Sequence, residues 1–269
     1  MSRYRAIFFD VGETLVYAHP SAAEIMAEIC AEAGLHVTPA EIEAADHRVW
    51  TRVQERQARA GAPLYSISPE ASERFWLNVY CEILSELHLP SPARDPHRGL
   101  DQRVPAPRTA RESTRSTSWD PLPLARRMHE RFSSLETWRL FPDVLPALET
   151  IQARRRNGLV TAVISNWEDW LETLLVSLEV DRYFDFFVVS ASVQLEKPDP
   201  AIFRYALDRA GVAPAEALHV GDSLSADVAG ARAAGIVPLL LDRRGRYTSS
   251  QTGGATIIRT LAELPPLLD

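Results

Sequence analysis

The stretch Ala6-Ile7-Phe8-Phe9-Asp10-Val11-Gly12-Glu13-Thr14-Leu15 decides how this chain is read. Four apolar residues run directly into an aspartate, and a glycine-containing turn follows. Unbroken apolarity, without alternation, predicts a strand buried on both faces, hence a central strand of a parallel sheet. Asp10, at the carboxyl end of that strand, falls where open α/β sheets place their ligands. Alone, an Asp-x-Gly reads as well as a strand cap that begins a turn. Three stretches far downstream supply partners for the carboxylate and turn the reading toward chemistry.

At 269 residues the chain can bury a sizeable core and fits one large domain or two modest ones. Its net charge of −7 speaks against nucleic acid or an anionic membrane as a partner. Cys30 and Cys81 are the only cysteines and have no metal-ligand spacing, which suits reduced thiols in a cytoplasmic protein. Met1 to Arg5 leads straight into the first strand without a signal-like apolar region, and no stretch approaches the length of a membrane span. Lys197 is the only lysine among 29 basic residues, so its position is informative.

From Val16 to about Ser134 the pattern is helical, with no β-period. Ser21–Ala33 carries apolar residues at helical spacing before Gly34. Thr38-Pro39-Ala40-Glu41 has capping-box spacing, and its helix extends toward Ala60. Ser68-Pro69-Glu70 opens a third helix, and Pro123 to Phe132 a fourth. Between them, Pro90 to Pro121 holds six prolines and six arginines with few large apolar residues, the composition of a disordered loop. Beyond Trp138, strands at Leu159–Ser165, Phe186–Ser190, Leu218–Gly221, Ile236–Leu241 and Thr256–Ile258 alternate with helical segments. That alternation predicts a doubly wound parallel α/β sheet. Residues 1–15 and 136–269 read as the core, and 16–135 as an inserted helical unit with the loop at 90–121.

Four stretches fall at or near strand ends: Asp10 with Thr14, Ser165-Asn166, Lys197-Pro198-Asp199, and Gly221-Asp222-Ser223 with Asp227. Each has a bland explanation singly: helix starts, a first-turn carboxylate, a solvated lysine. Together they compose a phosphoryl-transfer site. Asp10 is a candidate nucleophile. Asp10 and Asp222 form a hard oxygen site with few protein carboxylates, as Mg²⁺ prefers. Ser165 and nearby backbone N–H groups can hold phosphate oxygens. Lys197 supplies a compact charge to the phosphoryl group and Asp10.

In order and spacing these stretches resemble the motifs of the haloacid dehalogenase (HAD) superfamily, over residues 4–15 and about 138–242. The wording Ser165-Asn166-Trp167, Lys197-Pro198-Asp199-Pro200 and His219-Val220-Gly221-Asp222-Ser223 is similar to its phosphatase-like branch, including the subgroup called HAD-like hydrolase domain-containing 3. The resemblance implies a HAD-like Rossmannoid core and makes the helical insertion a type C1 cap. It implies a phosphatase-like hydrolase with Asp10 as nucleophile and Lys197 as its catalytic partner. Metal ligands would come from Asp10, the Gly12 carbonyl and Asp222, with Asp227 beside the metal or orienting Lys197. Thr14, Ser165, Asn166 and Lys197 would surround the phosphoryl group of a small phosphorylated metabolite, with Mg²⁺ as cofactor.

One position departs from that pattern. Phosphatases of the family usually carry a second aspartate two residues after the nucleophile, as general acid and base, and here that position is Gly12. Positioned proton transfer contributes ~10²–10⁴-fold, so its loss bears most on alkyl phosphate monoesters. Glycine there also permits backbone conformations closed to other residues. Two further readings stay open: a dehalogenase-type hydrolase, and a binding or regulatory protein with weakened turnover. A phosphonoacetaldehyde-type enzyme would need a cap lysine, and the insertion has none.

Overall fold

Each side chain of β1 (Ala6–Phe9) is buried: Ile7 and Phe9 enter one hydrophobic cluster, Ala6 and Phe8 the other. A strand covered on both faces has no polar side to alternate with, which is why its sequence is apolar throughout. The computed structural model describes residues 4–57, 59, 64–87, 119–155 and 158–268. Most of the loop expected at 90–121, and the far end of the helix expected to extend toward Ala60, lie outside the described residues.

After β1 the chain forms β2 (Val16–Ala18), then the helices α1 (Ala22–Glu32), α2 (Pro39–Gln57), α3 (Pro69–Glu86) and α4 (Leu122–Phe132). β3 (Trp138–Leu140) returns antiparallel to β2, pairing Val16 with Leu140 and Ala18 with Trp138. The reading of residues 16–134 as wholly helical is corrected here. A three-residue strand has too short a run to show a period, and its partner lies beyond the whole insertion. The helices share their own core, centred on Ile25, Ile42, Val49, Ile83, Leu84 and Met128.

α1 begins with a reciprocal capping box: Glu24 N donates to Ser21 Oγ at 3.3 Å and Ser21 N to Glu24 Oε2 at 2.8 Å. α2 and α3 are laced on their exposed side by Arg48 and Arg52 to Glu86 and by Arg56 to Glu82. Trp50 packs against Phe75 and Trp76, with ring centroids 6.3 and 5.9 Å away. These two residues, Arg52 and Trp50, therefore serve the insertion's surface and core.

The remainder alternates strands and helices: α5 (Val144–Arg155), β4 (Val160–Ser165), α6 (Leu171–Ser177), β5 (Phe186–Val189), the single turn α7 (Ser190–Val193), α8 (Pro200–Ala210) and β6 (Ala217–Gly221). A π-helical turn over Leu224–Val228 runs into α9 (Ala229–Ala233), followed by β7 (Val237–Leu241) and β8 (Thr256–Ile258). The six core strands are parallel in the order β5-β4-β1-β6-β7-β8. α5 and α6 cover one face; α8 and α9 cover the other. Chain direction across the sheet reverses between β1 and β6, the seam where such sheets open a crevice at their carboxyl ends.

Candidate active site

Asp10 sits at that seam. Its N–H donates to Val220 O at 2.9 Å, carrying the ladder onto β6 one residue past β1. The chain then turns sharply: Thr14 N and Leu15 N both donate to Val11 O, at 3.2 and 2.7 Å. The turn brings Thr14 back onto its predecessor, so that Thr14 Oγ1 donates to Asp10 Oδ2 at 3.3 Å. From the end of β4, Ser165 Oγ donates to Asp10 Oδ1 at 3.1 Å. Lys197 Nζ reaches the same oxygen at 2.6 Å and Asp227 Oδ1 at 2.6 Å, while only 3% exposed. An ammonium so stripped of water must be paired, and here it is shared by two carboxylates.

The π-helical turn aims Asp227. Ser223 Oγ accepts from Ala226 N at 3.1 Å, and Val228 N reaches five residues back to Ser223 O at 3.0 Å. This widened turn points Asp227 at Lys197 and lets its Oδ2 accept from Ser223 N at 3.0 Å. A Cβ at Gly221 would lie 2.2 Å from Asp227 Cγ, so no other residue allows that approach. His219, buried on β6, places Nε2 2.9 Å from Asp227 Oδ1.

Oxygens of Asp10, Asp222 and Asp227 lie within 4.8 Å of one another. Burial would raise the Asp227 carboxyl, but Lys197 and the bond to His219 hold it well below the usual carboxylate range. Burial also works against Lys197, yet Asp10 and Asp227 raise it above an ordinary lysine. Asp10 is raised by burial and by Asp227, against the pull of Lys197. Asp222 is pushed up to about 8 by burial and by the charges of Asp227 and Asp10, with Arg246 only partly offsetting them. Arg246 Nη2 stands 3.3 Å from Asp222 Oδ2. Three carboxylates facing the Lys197 ammonium and, at the more exposed edge, the Arg246 guanidinium leave the pocket short of positive charge.

Asn166 is placed one step from Asp10. Its Oδ1 accepts from Lys197 N at 2.7 Å and its Nδ2 donates to Lys197 O at 2.9 Å, bracketing that residue's main chain. Nδ2 also donates to the Tyr65 hydroxyl at 3.1 Å, a contact that joins the insertion to the core. Gly12 is not in the left-handed region, so backbone freedom is not what holds glycine there. Space is. A Cβ on Gly12 would lie 3.2 Å from Trp167 Cζ3. The Trp167 ring is set edge-to-face between Trp138 and Trp170, at 4.9 and 5.4 Å between centroids. Its neighbour Glu13 turns outward and pairs with Arg244 at 3.2 Å.

Glu196, Tyr65, His219 and the packing role of Trp167 escape a reading of the sequence. A histidine inside an apolar strand does signal that a buried partner exists. Nothing local marks Glu196 Oε2 as the acceptor for Tyr65 N, Ser66 N and Ser66 Oγ, at 3.0, 2.8 and 2.9 Å.

Known proteins are similar to this chain in sequence and in fold. The haloacid dehalogenase-like hydrolase domain-containing protein 3 of Danio rerio is 29% identical over 266 residues, covering 98% of this chain and 96% of its own. The Mus musculus protein of the same name is 40% identical over 150 residues, 55% of this chain and 59% of its own length. A phosphoserine phosphatase from Thermus thermophilus is 28% identical over 247 residues, 89% of each chain. Among solved structures, the magnesium-bound HAD-hydrolase YfnB from Bacillus subtilis shares the fold, with a TM-score of 0.67, 17% identity and 99% of both chains covered. The family model for haloacid dehalogenase-like hydrolases matches residues 4–235, and with the strand-end aspartates and the buried lysine in place, this chain belongs to that family of hydrolases.

Proposed function

We propose that the protein is a magnesium-dependent phosphatase that forms an aspartyl-phosphate on Asp10, with a small phosphorylated metabolite as substrate. The observation that carries this reading is Lys197 held between Asp10 and Asp227 with Asp222 alongside. The donor set fits Mg²⁺: hard carboxylate oxygens, few in number, in a pocket with excess negative charge. Asp10 and Asp222 would hold the ion with the Gly12 carbonyl, and Asp227, engaged by Lys197 and His219, would stand beside them. When bound, the cation would neutralise charge on the phosphoryl oxygens.

Asp10 attacks the phosphorus. Lys197 neutralises Asp10 and the phosphoryl oxygen next to it, and stays charged because two carboxylates raise its affinity for the proton. Thr14 and Ser165 fix which way the nucleophile faces through their bonds to its two oxygens. Asn166 locks the Lys197 main chain, and thereby where Nζ stands. With Gly12 in place of an acid, substrates whose leaving group is stable as an anion, aryl or acyl phosphates, are favoured over sugar phosphates.

The insertion over about 16–135 acts as a cap on a core formed by 1–15 and 136–269, and the protein's setting is the cytoplasm, where Cys30 and Cys81 stay reduced. Among the described residues no helix is long and apolar enough to cross a membrane. The phosphatase name of the Thermus relative supports the reaction class. A dehalogenase-type reaction needs no cation and leaves the Asp222 charge unexplained. A purely binding or regulatory role has no use for a dehydrated Lys197 on a nucleophile.

Calorimetric titration with Mg²⁺, beside aryl phosphate turnover with and without the ion, tests the proposal. Asp222→Asn should lose Mg²⁺ binding and turnover while keeping the parent's secondary structure. Parent-like Mg²⁺ affinity in that variant, or turnover indifferent to Mg²⁺, would remove the site as drawn.

A further inference from the structure

An alkoxide leaving group needs a proton, and the turn after Asp10 has no side chain to give one. Gly12 is bare and Trp167 occupies the space beside it. Glu13, at a left-handed φ of 55°, is paired with Arg244 on the exposed side. The hydroxyls of Thr14 and Ser165 already donate to the nucleophile, and Lys197 to both of its carboxylates. Tyr65 is different. Its hydroxyl accepts from Asn166 Nδ2, and that amide cannot be turned round, because Lys197 N occupies Oδ1. The phenol's own proton is therefore left for another acceptor. The same Asn166 Nδ2 donates to Lys197 O, and the phenol lies close enough to the site to feel the charges of both Lys197 and Asp10.

Tyr65 is also held as a working group has to be. Its N–H donates to the buried Glu196 at 3.0 Å. The next residue is tied down three times: Ser66 N and Oγ donate to Glu196, and Ser66 O accepts from Ser190 Oγ at 2.8 Å. The Tyr65 ring stacks on Phe75 with centroids 4.2 Å apart and planes 22° from parallel. Main chain, ring and hydroxyl are thus fixed by groups from the core and the insertion together, the support that positioned catalysis requires.

We propose that Tyr65 is the proton donor to the leaving oxygen, standing in for the acid absent at Gly12. The inference rests on the phosphatase reading above. As the Asp10–phosphorus bond forms and the ester P–O bond breaks, the proton passes from Tyr65 Oη to the departing oxygen, which leaves as a neutral alcohol. Water then attacks the aspartyl-phosphate, the Asp10–phosphorus bond breaks, and the water's proton returns to Tyr65. Inorganic phosphate departs and both residues are restored. Burial pushes the phenol up to about 12, so it is protonated at neutral pH, yet it remains a stronger acid than an aliphatic alcohol. The bond from Asn166 and the ammonium of Lys197 ease formation of the tyrosinate, against the charges of Glu196 and Asp10.

Tyr65→Phe removes one oxygen and keeps the stack on Phe75 and the main-chain bond to Glu196. Turnover of an aryl phosphate and an alkyl phosphate is compared in parent and variant with Mg²⁺, alongside melting temperature. Alkyl turnover should fall ~10²-fold, the lower end of the general-acid range, while aryl turnover changes by less than about threefold. Equal loss on both substrates would assign Tyr65 a positioning role and overturn the donor role. An unchanged aryl-to-alkyl ratio in an active variant would overturn it too and leave the phosphatase reading standing. A parent inactive on both substrates overturns both.

Discussion

Placing the family's acid at position 12 should fail on its own, for a reason visible only in space. Gly12→Asp puts a Cβ 3.2 Å from Trp167 Cζ3, so one of the two must move by a few tenths of an ångström. The Trp167 ring has little room to yield. Trp138 and Trp170 flank it, and each is pinned by its indole N–H, to Phe132 O at 3.0 Å and to Glu168 Oε2 at 2.9 Å. Overpacking of this kind costs ~1–3 kcal/mol. At roughly 2 °C per kcal/mol for a chain of this size, melting should drop by about 2–6 °C. A new carboxylate also enters a pocket already short of positive charge, so saturating Mg²⁺ should restore more of the loss in the variant than it adds to the parent. Alkyl phosphate turnover should rise far less than the ~10²-fold that a well-placed acid can give. Adding Trp167→Phe removes the offending edge, and the double variant should regain stability and show a larger rise in alkyl turnover than the single variant. Thermal melts with and without Mg²⁺, and the aryl-to-alkyl rate ratio, give the readout. A single variant as stable as the parent, with the full gain in alkyl turnover, would falsify the claim that Trp167 closes the position.

Lys197→Arg should abolish turnover, because a planar fork cannot replace an ammonium that is 3% exposed and within 2.6 Å of two carboxylates; near-parent activity would show that charge alone suffices. The raised carboxyl of Asp222, at about 8, makes the metal-free fold bind a proton that the unfolded chain gives up at the ordinary aspartate value of 3.8. Its stabilising contribution is present in full below that ordinary value and is lost as pH rises through about 8, so metal-free melting temperature should fall from pH 5 to pH 9. Mg²⁺ requires the ionised form, so its binding should release protons near pH 7 and weaken by up to about tenfold per pH unit below 8. Binding heats independent of buffer ionisation enthalpy would contradict this.

Much of the architecture is written locally. A run such as Ala6–Phe9 can satisfy its apolar side chains only between two covered faces, and a chain that alternates such runs with amphipathic helices closes into a parallel sheet. The Ser21, Ser68 and Asp199 caps mark three helix starts for the same reason, since each side chain accepts an amide two or three residues on. The candidate site was legible in its parts, because Asp10, Ser165 and Asp222 lie at strand ends and the only lysine falls just before a capped helix.

What joined those parts depended on distances across the folded chain. β2 finds its partner beyond the whole helical insertion, and three residues of strand carry no period by which to announce it. Asp227 reaches Lys197 through a π-helical turn and a bare Gly221, neither of which a helical repeat encodes. Tyr65 and Ser66 meet Glu196 about 130 positions downstream, a contact set by how two cores dock. At Gly12 the sequence shows only that an acid is missing. That the ring of Trp167 crowds that place is a fact of packing, because side-chain volumes from remote segments compete for one space only after the sheet has brought them together.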